Sequence, residues 1–536
     1  MSILTLVLTS IHLPTLVTIL TITYVFRYYF KYFTRPNPLP GPFPIPLFGN
    51  VHQMGLDPQF FANKLREKYG DVCETFVGST RLIWLSRADL AEKIFSPSKK
   101  SNYFLRGNKK NNFDDLGVND HGIVFNRDYA SWRFNRKFLS QFTMSTNFLK
   151  SFVTEIQIIF KELQSYWSEM SMNENEPVEI DFSDWALRIS TDIVIKTTST
   201  QRAYSMAIYF NKISPHKKAN VPDSALTESE NFIHSITNYI WLIQMCFILP
   251  PLVRHYVPGI RQYMNNLFKT QRWFHDRIDD FIRKRRDEIV ETPMDQPLKT
   301  DILTLLLTYG TTRDITSKND ESSRPLTEEE IRYTMMEVFT GAIDTTANSL
   351  SFIIYYLCKY PKVRQKMIEE IEGYTGKDQN AQINFNSLEK LHYCEAVFKE
   401  VARINPVVGI MSKVASEEDE IAGYRWPAGQ EFFLNLEGMH KNKVHWDIPE
   451  EFNPNRFLNE RNEIIQRLPI YQFGGGPRAC PGRHMALAGL KTLVILLLKR
   501  YDFELVDKDA PLKIVASVSN ECKDLKIKIS PRTVAL

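Results

Sequence analysis

Residues 473–482 read FGGGPRACPG, with three consecutive glycines, a proline, an arginine and a single cysteine inside ten positions. Glycine accepts backbone angles that a residue with a Cβ resists, so this stretch can run close against something flat or bulky and carry Cys480 at its tip. It reads as a cradle for a thiolate ligand. The other five cysteines, Cys73, Cys246, Cys358, Cys394 and Cys522, are scattered and form no CxxC pair. That pattern speaks against a disulfide framework or a zinc ribbon and for a reducing compartment. Cys480 and His484 have the i, i+4 spacing of two zinc ligands on one helix face, but no second pair with finger or ribbon spacing completes a site. A dinucleotide loop is disfavoured as well, because Ala479 stands where a third glycine belongs and Pro477 interrupts the run. The C-x-x-C-H of covalently attached haem is absent, and no histidine is identifiable as the partner of a protease cysteine.

The chain around this loop has 536 residues, 43% hydrophobic and 24% charged, enough to bury a large core in one large catalytic domain or in two domains. A net charge of +4 is too mild at this length to argue for nucleic acid, and none is expected as a partner. Residues 3–26 are nearly all apolar, about the length of a bilayer-crossing helix, and Arg27, Lys31 and Arg35 follow at once. Positive charge stays on the cytosolic side, so the N-terminus is expected in the lumen and the remainder in the cytosol. A cleaved signal peptide would carry basic residues ahead of the apolar run, where only Met1 and Ser2 stand. Next comes RPNPLPGPFPIPLFGN, residues 35–50, whose prolines fix φ and remove donors, making a stiff spacer. The division expected is a signal anchor over 3–26, a basic and proline-rich hinge over 27–50 and a catalytic domain over 51–536.

The catalytic portion reads as one long α-rich body, with loop-like stretches at 213–230 and 311–325. ITNYIWLIQMCFILPPLV, residues 236–253, is apolar enough to suggest a second span, but Asn238, Gln244 and the Pro250–Pro251 stop make it a buried or membrane-dipping helix. Residues 326–363 begin with a capping box, Thr327 to Glu330, and continue as a helix apolar on nearly all sides, which belongs in the core. Inside it, GAIDTT (341–346) brings Asp344, Thr345 and Thr346 into a greasy rod beside Gly341. Two readings stand. In one, the threonines bond back to the preceding turn and Asp344 pairs with a distant arginine. In the other, a widened turn admits water and a small ligand beside an acid and a hydroxyl, a proton relay. Glu400 and Arg403 have i, i+3 salt-bridge spacing, Arg456 lies in a proline-punctuated loop, and Trp132 and Arg136 stand one helical turn apart, a pair suited to a large planar anion.

In this order the pieces resemble the cytochrome P-450 superfamily of haem-thiolate monooxygenases, above all its membrane-anchored eukaryotic branch, over nearly the whole chain. Phe473, Gly476, Arg478, Cys480 and Gly482 match the family's Phe-x-x-Gly-x-Arg-x-Cys-x-Gly. The resemblance implies a mainly α fold with small β-sheets and haem b held between a long central helix and the cysteine loop. Cys480 would ligate iron, with Phe473 packed beside the sulfur. Trp132, Arg136 and Arg478 would hold the propionates, as would Lys413, which stands where the family often has arginine. Asp344 and Thr345 would deliver protons for O2 activation. Glu400, Arg403 and Arg456 would form a structural ion-pair triad. Ala342 replaces the usual glycine of the helix motif, Asn455 replaces a common glutamate, and the proline run is fuller than the family needs.

The resemblance also implies electrons from NADPH through a separate membrane-bound flavoprotein reductase, with a b-type cytochrome as an allowed second donor, docking near Arg478, Arg483 and Lys491. The location implied is the endoplasmic reticulum membrane, single-pass, with the catalytic domain cytosolic. Ala342, Val408, Ile410 and Met411 would line a pocket for an apolar substrate, a lipid, sterol, terpenoid or xenobiotic, together with the segments near 101–125, 205–260 and 515–520. Arg106, Lys109 and Lys110 read as a solvated loop. A haem-thiolate isomerase or dehydratase working on hydroperoxides without O2, and a membrane haem carrier or sensor, are the alternatives. Asp344 and Thr345 argue against the first.

Overall fold

The structure, a computed structural model, describes residues 13–96, 102–106, 113–118, 121–171, 176–214, 218–315, 324–458 and 471–532. Its architecture is mainly α with four small sheets. Elements used below are α1 (Leu13–Phe33), β1 (Val72–Val77), β2 (Thr80–Leu85), α2 (Tyr129–Thr143), α3 (Thr146–Met170), β3 (Val178–Asp181), α4 (Phe182–Ser199), α5 (Asp223–Ile248) and α6 (Pro258–Glu291). They continue with α7 (Glu328–Lys359), α8 (His392–Ile404), β4 (Ile410–Val414), β5 (Glu431–Asn435), α9 (Arg483–Arg500), β6 (Tyr501–Leu505), β7 (Ile514–Ala516), β8 (Asn520–Cys522) and β9 (Lys526–Pro531).

Helix α7 is the axis of the molecule. Its capping box forms as the sequence suggests: Thr327 Oγ1 accepts from the Glu330 amide at 3.2 Å, and Glu330 Oε2 accepts from the Thr327 amide at 2.9 Å. Beyond the first turn, Met335, Met336, Phe339, Ile343, Phe352 and Ile354 are all fully buried, so apolar contact surrounds the helix. It packs against α4, α5, α6, α8 and α9. Helix α3 shows the other pattern, a single buried stripe at Phe148, Phe152, Ile156, Ile159, Leu163 and Trp167, and that stripe lies on α9.

The sheets sit at the margins. One has the order β1–β2–β5–β4, parallel only between β2 and β5, and a second has the order β3–β9–β6, antiparallel throughout. The β7–β8 hairpin closes on α7 near the end of the chain.

Several boundaries differ from the sequence reading. Among the described residues one helix, α1, is long and apolar enough to cross a bilayer, and it continues past Phe26 to Phe33, taking Arg27 and Lys31 into its last turns. Positions 3–12 of the expected anchor lie outside the described residues. The hinge is no free spacer, because side chains fasten it to the first sheet. Tyr28 donates to Gly78 O at 3.1 Å, Arg35 and Arg81 both grip the buried Glu74 at 2.5 Å, and Asn50 bonds Pro42 O, Phe43 O and the Phe76 amide. The loop expected over 213–230 is helical from Asp223, and the apolar stretch at 236–253 is the second half of α5, buried through Ile236, Tyr239, Leu242 and Cys246. Pro250 ends it, and Pro251 opens a new short helix. Most of the loop at 311–325 lies outside the described residues.

Glu74 is 2% exposed and holds two guanidinium groups. Glu74→Ala leaves both unpaired beside β1 and should cost about 3 kcal/mol in chemical denaturation. It should also expose residues 34–48 to limited proteolysis while leaving the far end of the molecule protected.

Candidate active site

A cavity of about 540 Å³ lies between α7, β4, α5, the tip of the β7–β8 hairpin and the cysteine loop. Cys480 forms part of its floor, while Asp344 and Thr345 belong to the wall that α7 supplies. Ala342, Val408, Ile410 and Met411 all line it.

The loop beneath is built by glycine. Gly474 and Gly476 sit in the left-handed region at φ +68° and +65°. Gly475 does not, but a Cβ there would stand 2.7 Å from Phe95 Cβ. The turn closes where the Cys480 amide donates to Phe473 O at 2.8 Å. Three neighbouring carbonyls of the loop are then taken by side chains from elsewhere. Arg106 donates to Arg478 O at 2.7 Å, Arg136 to Ala479 O, and Thr143 to Pro481 O at 3.0 Å. Cys480 precedes α9, which starts at Arg483, so Cys480 and His484 do not share one helix face. The Cys480 thiol opens into the cavity and protein atoms enclose its other sides. That enclosure pushes its pKa up, while the Gly482 amide and the Arg136 and Arg106 guanidiniums pull it back toward thiolate.

Four cations converge beside this loop: Arg106, Arg136, Lys413 and Arg478. No carboxylate is at ion-pair distance from any of them among the described residues. Burial depresses each one, and for Arg136, Lys413 and Arg478 the neighbouring cations add to it, whereas Cys480 and Glu337 pull Arg106 back up. Arg136 is brought down to about 10, Arg478 to about 8, and Lys413 well below the usual lysine range. Among the described residues Lys413 donates to Tyr103 O alone, at 3.4 Å. Trp132 lies under the Arg478 guanidinium, 4.4 Å from its ring centroid, and its indole Nε1 is buried with no acceptor among the described residues. An excess of buried positive charge next to an orphaned N–H donor suits a flat group carrying carboxylates, and the propionate-bearing edge of haem is such a group.

Arg478 does less hydrogen bonding toward the cavity than a free fork would. Its guanidinium donates to Phe104 O at 2.9 Å, Ile123 O at 2.8 Å and Asn126 O at 2.5 Å. From the other side of the same segment, Glu337 of α7 accepts from the amides of Ile123 at 2.5 Å and Val124 at 3.1 Å. Residues 121–126 are thus held between a carboxyl and a guanidinium. Burial pushes Glu337 up to about 7, against the pull of those amides.

On α7 the helix runs unbroken through 341–346, without the widened turn of the relay reading. A Cβ at Gly341 would nonetheless meet nothing within 4 Å, so the space beside it is open. Thr345 Oγ1 donates back to Gly341 O at 2.6 Å. Asp344 is buried but pairs with no arginine among the described residues: Ser519 Oγ donates to its Oδ2 at 2.7 Å, and Asn348 Nδ2 donates to its Oδ1 at 3.1 Å. Burial and then the charge of Glu521 push Asp344 up to about 6. Away from the cavity, Arg403 grips Glu400 through two bonds at 2.7 and 2.9 Å, and Arg456 joins at 3.0 Å. Glu400 and Arg403 are 0% exposed, and Arg403 also donates to His440 O and Glu451 O.

The surface patch expected from Arg478, Arg483 and Lys491 does not form. Arg478 is buried, and Lys491 is turned inward onto Leu388 O and Glu395, which leaves only Arg483 at the surface. Arg106, expected in a solvated loop, braces the cysteine loop instead; Lys109 and Lys110 lie outside the described residues. Sequence reasoning missed Glu337, though an acid two turns before Asp344 on one helix was a usable signal. It missed Thr143, which nothing local marks, and it had Ser519 only within the pocket-lining stretch 515–520, not as the partner of Asp344.

The family model for Cytochrome P450 matches residues 39–529. The chain belongs to the cytochrome P450 family. Norfluorocurarine oxidase of Strychnos sp is 24% identical over 472 residues, covering 87% of this chain and 86% of that protein. Protopine 6-monooxygenase of Papaver somniferum is 22% identical over 501 residues, 91% of this chain and 87% of that protein. Steroid 17-alpha-hydroxylase/17,20 lyase of Ictalurus punctatus is 24% identical over 471 residues, 86% and 84%. The chain is accordingly a cytochrome P450 monooxygenase, an enzyme of haem, a cysteine thiolate and O2.

Glu337 titrates higher folded than unfolded, so the stability this P450 owes to keeping that carboxyl neutral is complete below about pH 4.5 and is lost as pH rises through about 7. Glu337→Gln retains an acceptor for the two amides and removes the proton. Its denaturation midpoint should fall less than that of the wild type between pH 5 and pH 7.5; parallel losses would refute the assignment.

Proposed function

We propose that this enzyme inserts one oxygen atom from O2 into an apolar small molecule, and that Cys480 would hold haem b through its thiolate. The observation that carries the reading is the sulfur on the cavity floor beside four cations with no carboxylate at ion-pair distance among the described residues, in a cavity whose α7 wall carries Asp344 and Thr345. Haem, when bound, supplies reduction of O2 and transfer of one of its atoms to the substrate. The chain's residues hold and serve that chemistry. Trp132 Nε1 and Arg136 would take propionate oxygens, while Lys413 and Arg478 contribute charge. Phe473 packs at the loop and its carbonyl fixes the Cys480 amide. Glu400, Arg403 and Arg456 have a structural role, tying α8 to the segment that leads to the cysteine loop.

Asp344 is the proton source. With its carboxyl near neutral pH it can both hold and release a proton, and the group to be served on the cavity side is Thr345. Because Thr345 donates to Gly341 O, it presents lone pairs to a water or an incoming proton. Ala342, Val408, Ile410 and Met411 exclude bulk water and favour an apolar substrate, in the class of lipids, sterols, terpenoids or xenobiotics. Electrons are proposed to come from NADPH through a separate membrane-bound flavoprotein reductase, with α1 as a single-pass anchor in the endoplasmic reticulum membrane and the catalytic domain in the cytosol. The positive-inside pattern at Arg27, Lys31 and Arg35 supports that orientation.

The test is the carbon monoxide difference spectrum of the dithionite-reduced protein. Wild type should show a Soret band red-shifted far beyond that of a histidine-ligated haem, and Cys480→Ala should lose it. A histidine-type band in both proteins, or no haem band in either, would overturn the reading.

A further inference from the structure

Asp344 sits on α7 with its back to the cavity and its carboxyl against the β7–β8 hairpin. Two side chains one helical turn apart fasten that hairpin. Asp344 accepts from Ser519 Oγ at 2.7 Å, and Asn348 Oδ1 accepts from the Cys522 amide at 2.9 Å. Asn348 also reaches back to Asp344 Oδ1, and Asn520 ties the same hairpin to Pro406 O at 2.8 Å, with its amide on Val407 O at 2.7 Å. The tip is therefore held from both sides, and Ser519, 4% exposed, has no freedom to leave the carboxyl. Of the two side chains that donate to Asp344 among the described residues, one is an amide and one a hydroxyl. A carboxamide N–H holds its proton, whereas a hydroxyl can give one up on one side while accepting another on its lone pair.

We propose that Ser519 is a positioning and proton-passing residue for Asp344, so that the C-terminal hairpin forms the outer part of the proton path. This rests on the reading of Asp344 as the proton source. In the step, the Ser519 O–H bond breaks as its proton forms an O–H bond on Asp344 Oδ2, and Ser519 Oγ takes a replacement proton from solvent hydronium, which is left as water. No electron changes place. The hairpin continues to the surface through Glu521 and Lys523, an ion pair at 2.6 Å in which Lys523 is 45% exposed. The charged groups that face Asp344 are those two: Glu521 raises its pKa and Lys523 lowers it, with Asp184 of α4 acting on Lys523. α4 itself meets α7 here through a neutral contact, Ser190 Oγ on Ile343 O.

The test uses the full-length, haem-loaded enzyme as wild type, Ser519→Ala, Ser519→Thr and Asp344→Asn. Two readouts are needed: product formed per NADPH consumed with reductase, and the infrared carboxyl band of Asp344, identified by its loss in Asp344→Asn. Ser519→Ala should keep the thiolate carbon monoxide band, lower coupling by roughly tenfold and move the Asp344 titration upward by about one pH unit, the equivalent of one hydrogen bond lost from the carboxylate. Ser519→Thr, which keeps the hydroxyl, should restore both. Unchanged coupling and titration in Ser519→Ala, or a threonine variant that behaves as the alanine does, would overturn the proposal. If Asp344→Asn itself stays coupled, the reading of Asp344 fails and the proposal falls with it. If Asp344→Asn uncouples and Ser519→Ala does not, the proposal alone falls.

Discussion

The cysteine loop is fixed by its carbonyls. A turn with two left-handed glycines has little stiffness of its own, and here the oxygens of Arg478, Ala479 and Pro481 are each bound by a side chain from another part of the chain. Arg136 and Thr143 both come from α2, and Arg106 from the segment that precedes it. The position of Cys480 relative to α7 therefore depends on α2 being in place. Away from the loop, Glu400, Arg403 and Arg456 bond to one another and to His440 O, Glu451 O and the Asn453 amide, which ties α8 to residues 451–456.

Charge organises the space above it. Burying Arg106, Arg136, Lys413 and Arg478 together is unfavourable without anions: loss of water first, and then the neighbouring cations, push Arg136, Lys413 and Arg478 below their usual ranges. Arg478 is stabilised in part by peptide carbonyls, and Glu337 answers it through the opposite face of the same peptides. A carboxyl and a guanidinium that never touch are joined by residues 121–126, which hold a wall of the cavity between them. That arrangement keeps an acid close to the cations without neutralising them, and leaves their charge for a ligand.

Much of this was legible in the sequence because the relevant signals are local. The glycine spacing of 473–482, the capping box at Thr327, the all-round apolarity of α7 and the i, i+3 pair Glu400–Arg403 each lie within a turn or two of chain. What could not be read was pairing between distant segments. Asp344 takes Ser519 as its partner across 175 residues, and no periodicity predicts that. Lys491 has the composition of a surface residue and the location of a core one, because Glu395 and Leu388 O draw it inward. The path of the hinge was hidden for a related reason: its prolines signal stiffness, but Glu74, distant in sequence, and Asn50, at the hinge's own end, tie it to the first sheet.

The β7–β8 hairpin joins two tasks that the sequence keeps apart. Its tip, Ser517 to Ser519, borders the cavity, and the hydroxyl of its last residue lies on the acid behind α7. Substrate space and the environment of Asp344 are consequently set by one short turn. A change in side-chain size at Val518 alters the shape of the cavity without touching the carboxyl, since Asn520 and Asn348 hold the strand on either side. A change at Ser519 cannot be made so freely, because the carboxyl would lose its hydroxyl partner while remaining buried. Adjacent positions on one turn thus carry different constraints, and the difference follows from which of the two atoms, a methyl or a hydroxyl oxygen, has Asp344 as its neighbour.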